Sequence, residues 1–239
     1  MYILAIESSG NVASVAIAEQ KKILAEYTVN IGKTHSQTLL PMIDRILSDA
    51  EITMNDIAAI AVSRGPGSFT GLRIGSATAK GLAAAAQIPM IDVPTLEALA
   101  VGAGNIGGRL VCPIIDARRN EVYSALYEEV RESDGTTGLK EVVRERALGM
   151  DELLSELAKT DREIVFVGDA LRVHADRIKE AGNGKFIIAP LSACDLRAGC
   201  VATIGITMME KGQTIEGAEH TPVYLRMSSA ERERMERGK

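Results

Sequence analysis

A chain of 239 residues, 46% of them hydrophobic, can bury a core as one large domain or as two lobes of roughly 100 residues each. Aromatic residues make up only 3% and Trp is absent, so helices packed closely on sheets are expected: an α/β protein, not an all-β one. The formal net charge of −5 supplies no global cationic field, which disfavours tight, unaided binding to a phosphate backbone.

In chain order, Tyr2–Ile6 is apolar, Val12–Ala18 alternates and Ile23–Val29 follows a polar turn, which predicts a three-stranded meander. From His35 to Ala50 the residues Leu39, Leu40, Met42, Ile43, Ile46 and Leu47 recur at helical spacing, with Gln37, Asp44, Arg45 and Ser48 on the polar side. The short apolar run Ile57–Val62 reads as a buried strand. It feeds a glycine-rich loop and a helix over about Thr70–Ala86, after which Ile88–Val93 returns as a strand and Thr95–Val101 as a short helix. Glycines cluster over residues 102–108 and predict a linker. The expected organisation is therefore an N-terminal lobe over 1–105, a C-terminal lobe over 106–226 and a charged tail over 227–239.

The second half repeats the grammar of the first. Leu110–Ile115 ends on Asp116 and Glu121–Tyr127 alternates after a polar turn, as Ile3–Ile6, Glu7 and Val12–Ala18 do earlier. A third strand near Glu141–Ala147, a helix over Asp151–Lys159, a strand at Ile164–Val167 and helices at about Ala170–Ala181 and Asp195–Lys211 complete the parallel. Two halves of this kind describe the duplicated, ribonuclease-H-like lobes of the actin-like fold.

The sharpest local pattern runs from Ser63 to Gly75. Gly65 and Gly67 let the backbone turn tightly, Ser68 or Thr70 can cap the following helix, and Arg73 lies one turn inside it. The pattern lacks the Gly-Lys-Ser/Thr ending of a P-loop and the spacing of a dinucleotide fingerprint, so a capped turn, a partner contact and an anion cradle stay open. Gly71, Gly75 and Ala79 then place small residues every fourth position, a groove that admits another helix of this chain or of a partner. Arg118 and Arg119 form a compact cationic pair, read as a solvated turn or as a contact to a partner or to RNA phosphate.

The histidines His35, His174 and His220 are widely separated in sequence, so neither a metal centre nor a Ser/His/Asp triad can be assembled, and no catalytic residue is assigned. Cys112, Cys194 and Cys200 form no Cys-x-x-Cys pair, which argues against a disulfide framework and a cysteine zinc site. The first residues carry no basic leader and no apolar run reaches membrane-spanning length, so a cytoplasmic protein without membrane association is expected.

Ile3-Leu4-Ala5-Ile6-Glu7-Ser8-Ser9, Ser14-Val15-Ala16, His35-Ser36-Gln37, the segment from Gly65 to Gly75, Asp116-Ala117-Arg118-Arg119-Asn120-Glu121-Val122-Tyr123 and Pro222-Val223-Tyr224-Leu225-Arg226 come in an order that resembles the TsaB family. Where that family has Asp-Thr-Ser in the first hairpin, this chain has Glu7-Ser8-Ser9. The resemblance implies a non-catalytic subunit that binds the related catalytic subunit TsaD. With the ATPase TsaE, the two would form N6-threonylcarbamoyladenosine at position 37 of tRNAs reading codons that start with A. It further implies that tRNA is reached through the complex, that ATP is used by the complex with a candidate nucleotide site at the shared interface, that no cofactor binds this chain alone, and that the isolated chain is a homodimer. Leu39, Leu40, Ile43, Ile46 and Leu47 of one helix and Gly71, Gly75 and Ala79 of the next are the expected partner interface. TsaD holds a metal through a His-x-x-x-His helix; the matching place here is Pro94-Thr95-Leu96-Glu97-Ala98-Leu99, where Thr95 and Leu99 are no ligands and Glu97 is expected on a solvated face. The alternative is an ATP-using enzyme or metallopeptidase of the actin-like superfamily.

Overall fold

The computed structural model describes residues 1–20, 22–104, 106–131 and 137–226. Strands β1 (Tyr2–Glu7), β2 (Ala13–Glu19) and β3 (Lys22–Val29) form the antiparallel meander, and β4 (Ile57–Gly65) and β5 (Met90–Pro94) add in parallel beside β1, giving the order β3-β2-β1-β4-β5. Flanked on both edges and covered on both faces, β1 reads as an unbroken apolar run. In the second sheet β6 (Leu110–Asp116), β7 (Glu121–Arg131) and β8 (Thr137–Gly149) are antiparallel, β9 (Ile164–Val167) and β10 (Phe186–Ile188) are parallel to β6, and the order is β10-β9-β6-β7-β8. This is the first order again, so the duplication legible in the sequence is a duplication of topology, and the fold is the actin-like one. β10, at three residues, is too short to show periodicity, and β8 extends well beyond the predicted 141–147 because it pairs with β7 from Arg131↔Thr137 to Glu121↔Gly149.

Helices α1 (His35–Asp49) and α2 (Phe69–Ala86) cover one face of the first sheet, and α4 (Met150–Leu157) and α5 (Leu171–Gly182) cover the outer face of the second. Between the sheets lie α3 (Thr95–Val101) and α6 (Ala198–Glu210). These two are exchanged relative to their place in the sequence. From the second half, α6 buries Ala198, Val201 and Ala202 against Ile3, Ala5, Ala59 and Ala61 of the first sheet. From the first half, α3 buries Leu96, Leu99 and Ala100 against Val111, Ile115 and Ala125 of the second. The packed units therefore differ from the contiguous segments 1–105 and 106–226. The physical reason is visible in α6, which is apolar nearly all round because it is clamped between a sheet and α3. Asn105, at the expected boundary, and the tail over 227–239 lie outside the described residues.

Candidate functional site

The loops at the inner ends of the two sheets face each other across a polar cleft of ≈ 410 Å³ whose lining includes Ser9, Asn11, Ser68, Thr70, Asp116 and Asp169. On the first lobe, β1 ends in Glu7, which is fully buried. Its carboxylate turns back on its own loop, accepting from the Ser9 amide at 2.6 Å, the Ser9 hydroxyl at 2.5 Å and the Ser63 hydroxyl. Burial raises the Glu7 pKa against the lowering pull of these donors. Ser9 O accepts from the Ser68 amide at 2.6 Å, and His35, at the start of α1, meets Gly10 O at 2.9 Å through Nε2. The first loop is thus tied on three sides by this chain's own groups.

The glycine-rich segment is a capped turn fitted against that loop. Gly65 adopts φ +115°, and a Cβ there would lie 2.4 Å from Val223 O; one at Gly67 would lie 2.5 Å from Ser9 O. Ser68 caps α2, its Oγ accepting from the Gly71 amide at 3.3 Å, while Thr70 is exposed at the cleft. At the place matching the metal helix, Thr95 Oγ1 accepts the Gly65 amide at 3.0 Å, and Leu99 is core. Glu97 departs from expectation: it is half-buried, and desolvation and then the charge of Glu141 raise its pKa.

Residues 222–226 close the cleft on one side, a role that no periodicity reveals. The Val223 amide donates to Arg64 O at 2.6 Å, Tyr224 stacks on Phe69 with ring centroids 4.4 Å apart, and Arg73 lies 3.9 Å over Phe69 while donating to the Tyr224 hydroxyl at 3.3 Å. Arg226 reaches the other lobe, donating to Ala117 O at 2.6 Å and pairing with Glu121 at 2.5 Å. Arg73 of the glycine-rich motif is therefore a packing partner of this strap. His220 is anchored just before the strap, its Nδ1 against Asp92 and its Nε2 buried without a hydrogen-bond partner among the described residues.

On the second lobe, the β6–β7 hairpin carries Arg118, Arg119 and Asn120 at φ +63°, +58° and +60°. The Asp116 carboxylate accepts from the Arg118 amide at 2.8 Å, and Asp169 accepts from the Asp116 amide at 2.9 Å. Burial, and then the Asp116 charge, raise the Asp169 pKa. Arg118 and Arg119 are exposed and form no ion pair among the described residues. All three cysteines are free thiols, and burial pushes Cys112 up to about 12. Among the described residues no group of three or more His, Cys, Asp or Glu side chains is placed to hold a metal ion. Among the described residues no helix is long and apolar enough to cross a membrane.

The expected partner interface needs correction. Leu39, Ile43 and Ile46 are buried against the first sheet as part of this chain's core, and only Leu40, at 55% exposure, and the partly buried Leu47 retain free surface. Gly71, Gly75 and Ala79 are buried as well, and the groove of the two glycines is filled by the β1–β2 loop: a Cβ at Gly71 would lie 2.0 Å from Ser8 O and one at Gly75 2.1 Å from Ser8 Oγ. Periodicity marks the face that must be covered; it does not say by what. The outward stripe of α2 is Ala77, Gly81 and Ala84, and a Cβ at Gly81 would meet nothing within 4 Å.

Duplicated sheets, exchanged inner helices and an interlobe cleft define a two-lobed protein of the actin-like class. A family model described as TsaD, tRNA N6-adenosine threonylcarbamoyltransferase, matches residues 13–225. The tRNA threonylcarbamoyladenosine biosynthesis protein TsaB of Bacillus subtilis is 32% identical over 97% of this chain and 96% of its own, and that of Escherichia coli is 35% identical over 96% of each. The solved structure of YeaZ from Pseudomonas aeruginosa superposes with a TM-score of 0.74 at 26% identity over 94% of this chain and 99% of its own. This chain belongs to the TsaB family, within the wider TsaD-type family whose model it matches.

Proposed function

We propose that this chain is a non-catalytic subunit in the formation of N6-threonylcarbamoyladenosine at position 37 of tRNA, acting by binding the catalytic subunit TsaD. The names of its relatives supply the pathway, since TsaB proteins of about one-third identity over nearly the whole chain are named for this modification. The observation that carries the binding role is Gly81. A glycine inside a helix costs about 1 kcal/mol relative to alanine, and among the described residues Gly81 has no neighbour within 4 Å of an added Cβ to require it. Together with Ala77 and Ala84 it leaves a smooth, exposed helix face suited to close approach by a second helix, and Leu40 of α1, the helix packed on α2, is exposed as well. The related helices of TsaD are the proposed occupant, with a second copy of this chain when TsaD is absent. In this reading TsaE completes the assembly, tRNA is engaged through the complex in the cytoplasm, ATP is consumed by the complex with any nucleotide at the shared interface, and no cofactor is held by this chain alone.

The test is heterodimer formation by size exclusion with light scattering, alongside reconstituted tRNA modification, for Gly81→Arg and Leu40→Glu with Glu152→Ala as control. Both interface variants are expected to fold with parent circular dichroism, to lose TsaD binding and to lose support of modification. Folded variants that bind TsaD and support modification as well as the parent would refute the assignment of this face.

A further inference from the structure

The β6–β7 turn places Arg118, Arg119 and Asn120 consecutively at positive φ, although its fold requirement is met more cheaply by glycine. Asn adopts this conformation readily; arginine does not. Backbone held in a sparsely populated region is retained where function uses it. The consequence of the geometry is a pair of exposed guanidinium groups, with no ion pair among the described residues, at the rim of a depression of ≈ 400 Å³. Arg177, from α5, completes the wall, held by Asp151 and by Asn120 Oδ1 at 2.5 Å. His174 lies behind it, its pKa lowered by burial and then by Arg177. Asp116 is the opposing carboxylate in the lining, and it is engaged in holding the turn through the Arg118 amide.

We infer that this depression is a phosphodiester-binding site for the tRNA backbone. The inference rests on the proposed role in tRNA modification and deepens it. Guanidinium groups present planar forks that fit phosphate oxygens in pairs. The lining holds no Phe, Tyr or Trp on which a base could stack, so contact is to the backbone and positions the RNA without reading its sequence. A protein partner fits less well, since an interface needs an apolar centre and Val173 is the only aliphatic residue in the lining. With a net charge of −5 the molecule supplies no global cationic field, so attraction of RNA has to come from local groups such as this arginine pair.

The experiment uses the full chain and an unmodified tRNA transcript, with binding followed by fluorescence anisotropy across a range of KCl concentrations. In Arg118→Gly/Arg119→Gly the positive-φ strain is removed with the charges, so the melting temperature is expected to hold or rise while affinity falls. The slope of log K against log salt should flatten by about 1 for each arginine. Lys140→Ala/Arg144→Ala removes two charges from exposed positions of β8 and is expected to leave that slope near the parent value. Parent-like affinity and slope in the glycine variant would overturn the site, as would an equal loss in the β8 control, which would report net charge alone. A glycine variant that keeps tRNA binding but no longer assembles with TsaD would also overturn it, making the turn a protein contact. If the parent binds tRNA through the turn yet does not support modification in the reconstituted reaction, the functional reading falls and the site stands.

Discussion

Alanine substitutions along α2 distinguish the glycines that fit the β1–β2 loop from the one that faces outward. Each replacement gains about 1 kcal/mol of helix propensity. At Gly81 nothing lies within 4 Å of the new methyl group, so that gain is realised. At Gly71 the methyl group would sit 2.0 Å from Ser8 O, a backbone atom of the β1–β2 loop that no rotamer change moves away. Overpacking of this kind costs about 3 kcal/mol, leaving a net destabilisation of about 2 kcal/mol. At Gly75 the clash at 2.1 Å is with Ser8 Oγ, which can rotate but then gives up its 3.0 Å hydrogen bond to Gly71 O, worth about 1 kcal/mol. For a chain of this size each kcal/mol shifts Tm by about 2–4 °C. Thermal unfolding should therefore place Gly81→Ala about 2–4 °C above the parent, Gly75→Ala near or slightly below it and Gly71→Ala about 4–8 °C below. A double-mutant cycle sharpens the test: Ser8→Ala removes the atom that opposes Gly75→Ala and should couple to it, and should leave the cost of Gly71→Ala unchanged. A Gly71→Ala protein as stable as the parent, or coupling of equal size at both positions, would refute the claim that the loop fills the groove.

The remaining expectations concern the cleft. Because burial raises the Glu7 pKa, the folded state binds the proton more tightly than the unfolded chain. Its contribution therefore erodes as pH rises from the ordinary carboxylate value toward the folded one. Glu7→Gln keeps an acceptor for Ser9 and should flatten that decline, checked by urea midpoints between pH 4.5 and 7.5; an unchanged pH profile would count against a strained buried carboxylate. Tyr224→Ala removes the stack on Phe69 and the Arg73 contact, and, since Tyr224 is exposed at the surface, should cost about 1 kcal/mol in the same unfolding assay while leaving secondary structure intact. Its far-ultraviolet spectrum and melting curve decide this, a parent-like Tm being the contrary result.

Much of the fold was legible because both halves use the same patterns: an apolar run followed by alternation for the meander and a 3.6-residue stripe for the outer helices. The exchange of α3 and α6 was not legible, since an inner helix apolar on several faces carries no vector toward one sheet. The candidate site divides in the same way. Glycines in the Ser63–Gly75 segment announce a tight turn, yet only the folded chain shows that Gly67 answers to Ser9 O and Gly71 to Ser8 O. Arg118 and Arg119 were visible as a charge pair, but their positive φ was not, because arginine gives no local sign of a left-handed backbone.

The strap formed by residues 222–226 explains why a fold built around an interlobe cleft directs attention to surfaces here. Its hydrogen bond to Arg64 O and its ring stack on Phe69 hold it to the first lobe, and Arg226 fixes it to Ala117 and Glu121 of the second. Movement of one lobe against the other would have to break these contacts together. The loop that would face a ligand's phosphates is meanwhile engaged inward, with Glu7 on Ser9 and Ser63 and with Ser9 O on the Ser68 amide. Donors and acceptors committed within the chain are not available to a bound group without breaking what they now make. The exposed Ala77–Gly81–Ala84 face of α2 and the two arginines of the β6–β7 turn, Arg118 also lining the cleft, carry no such commitment among the described residues, and this is why the partner helix and the RNA backbone are proposed there.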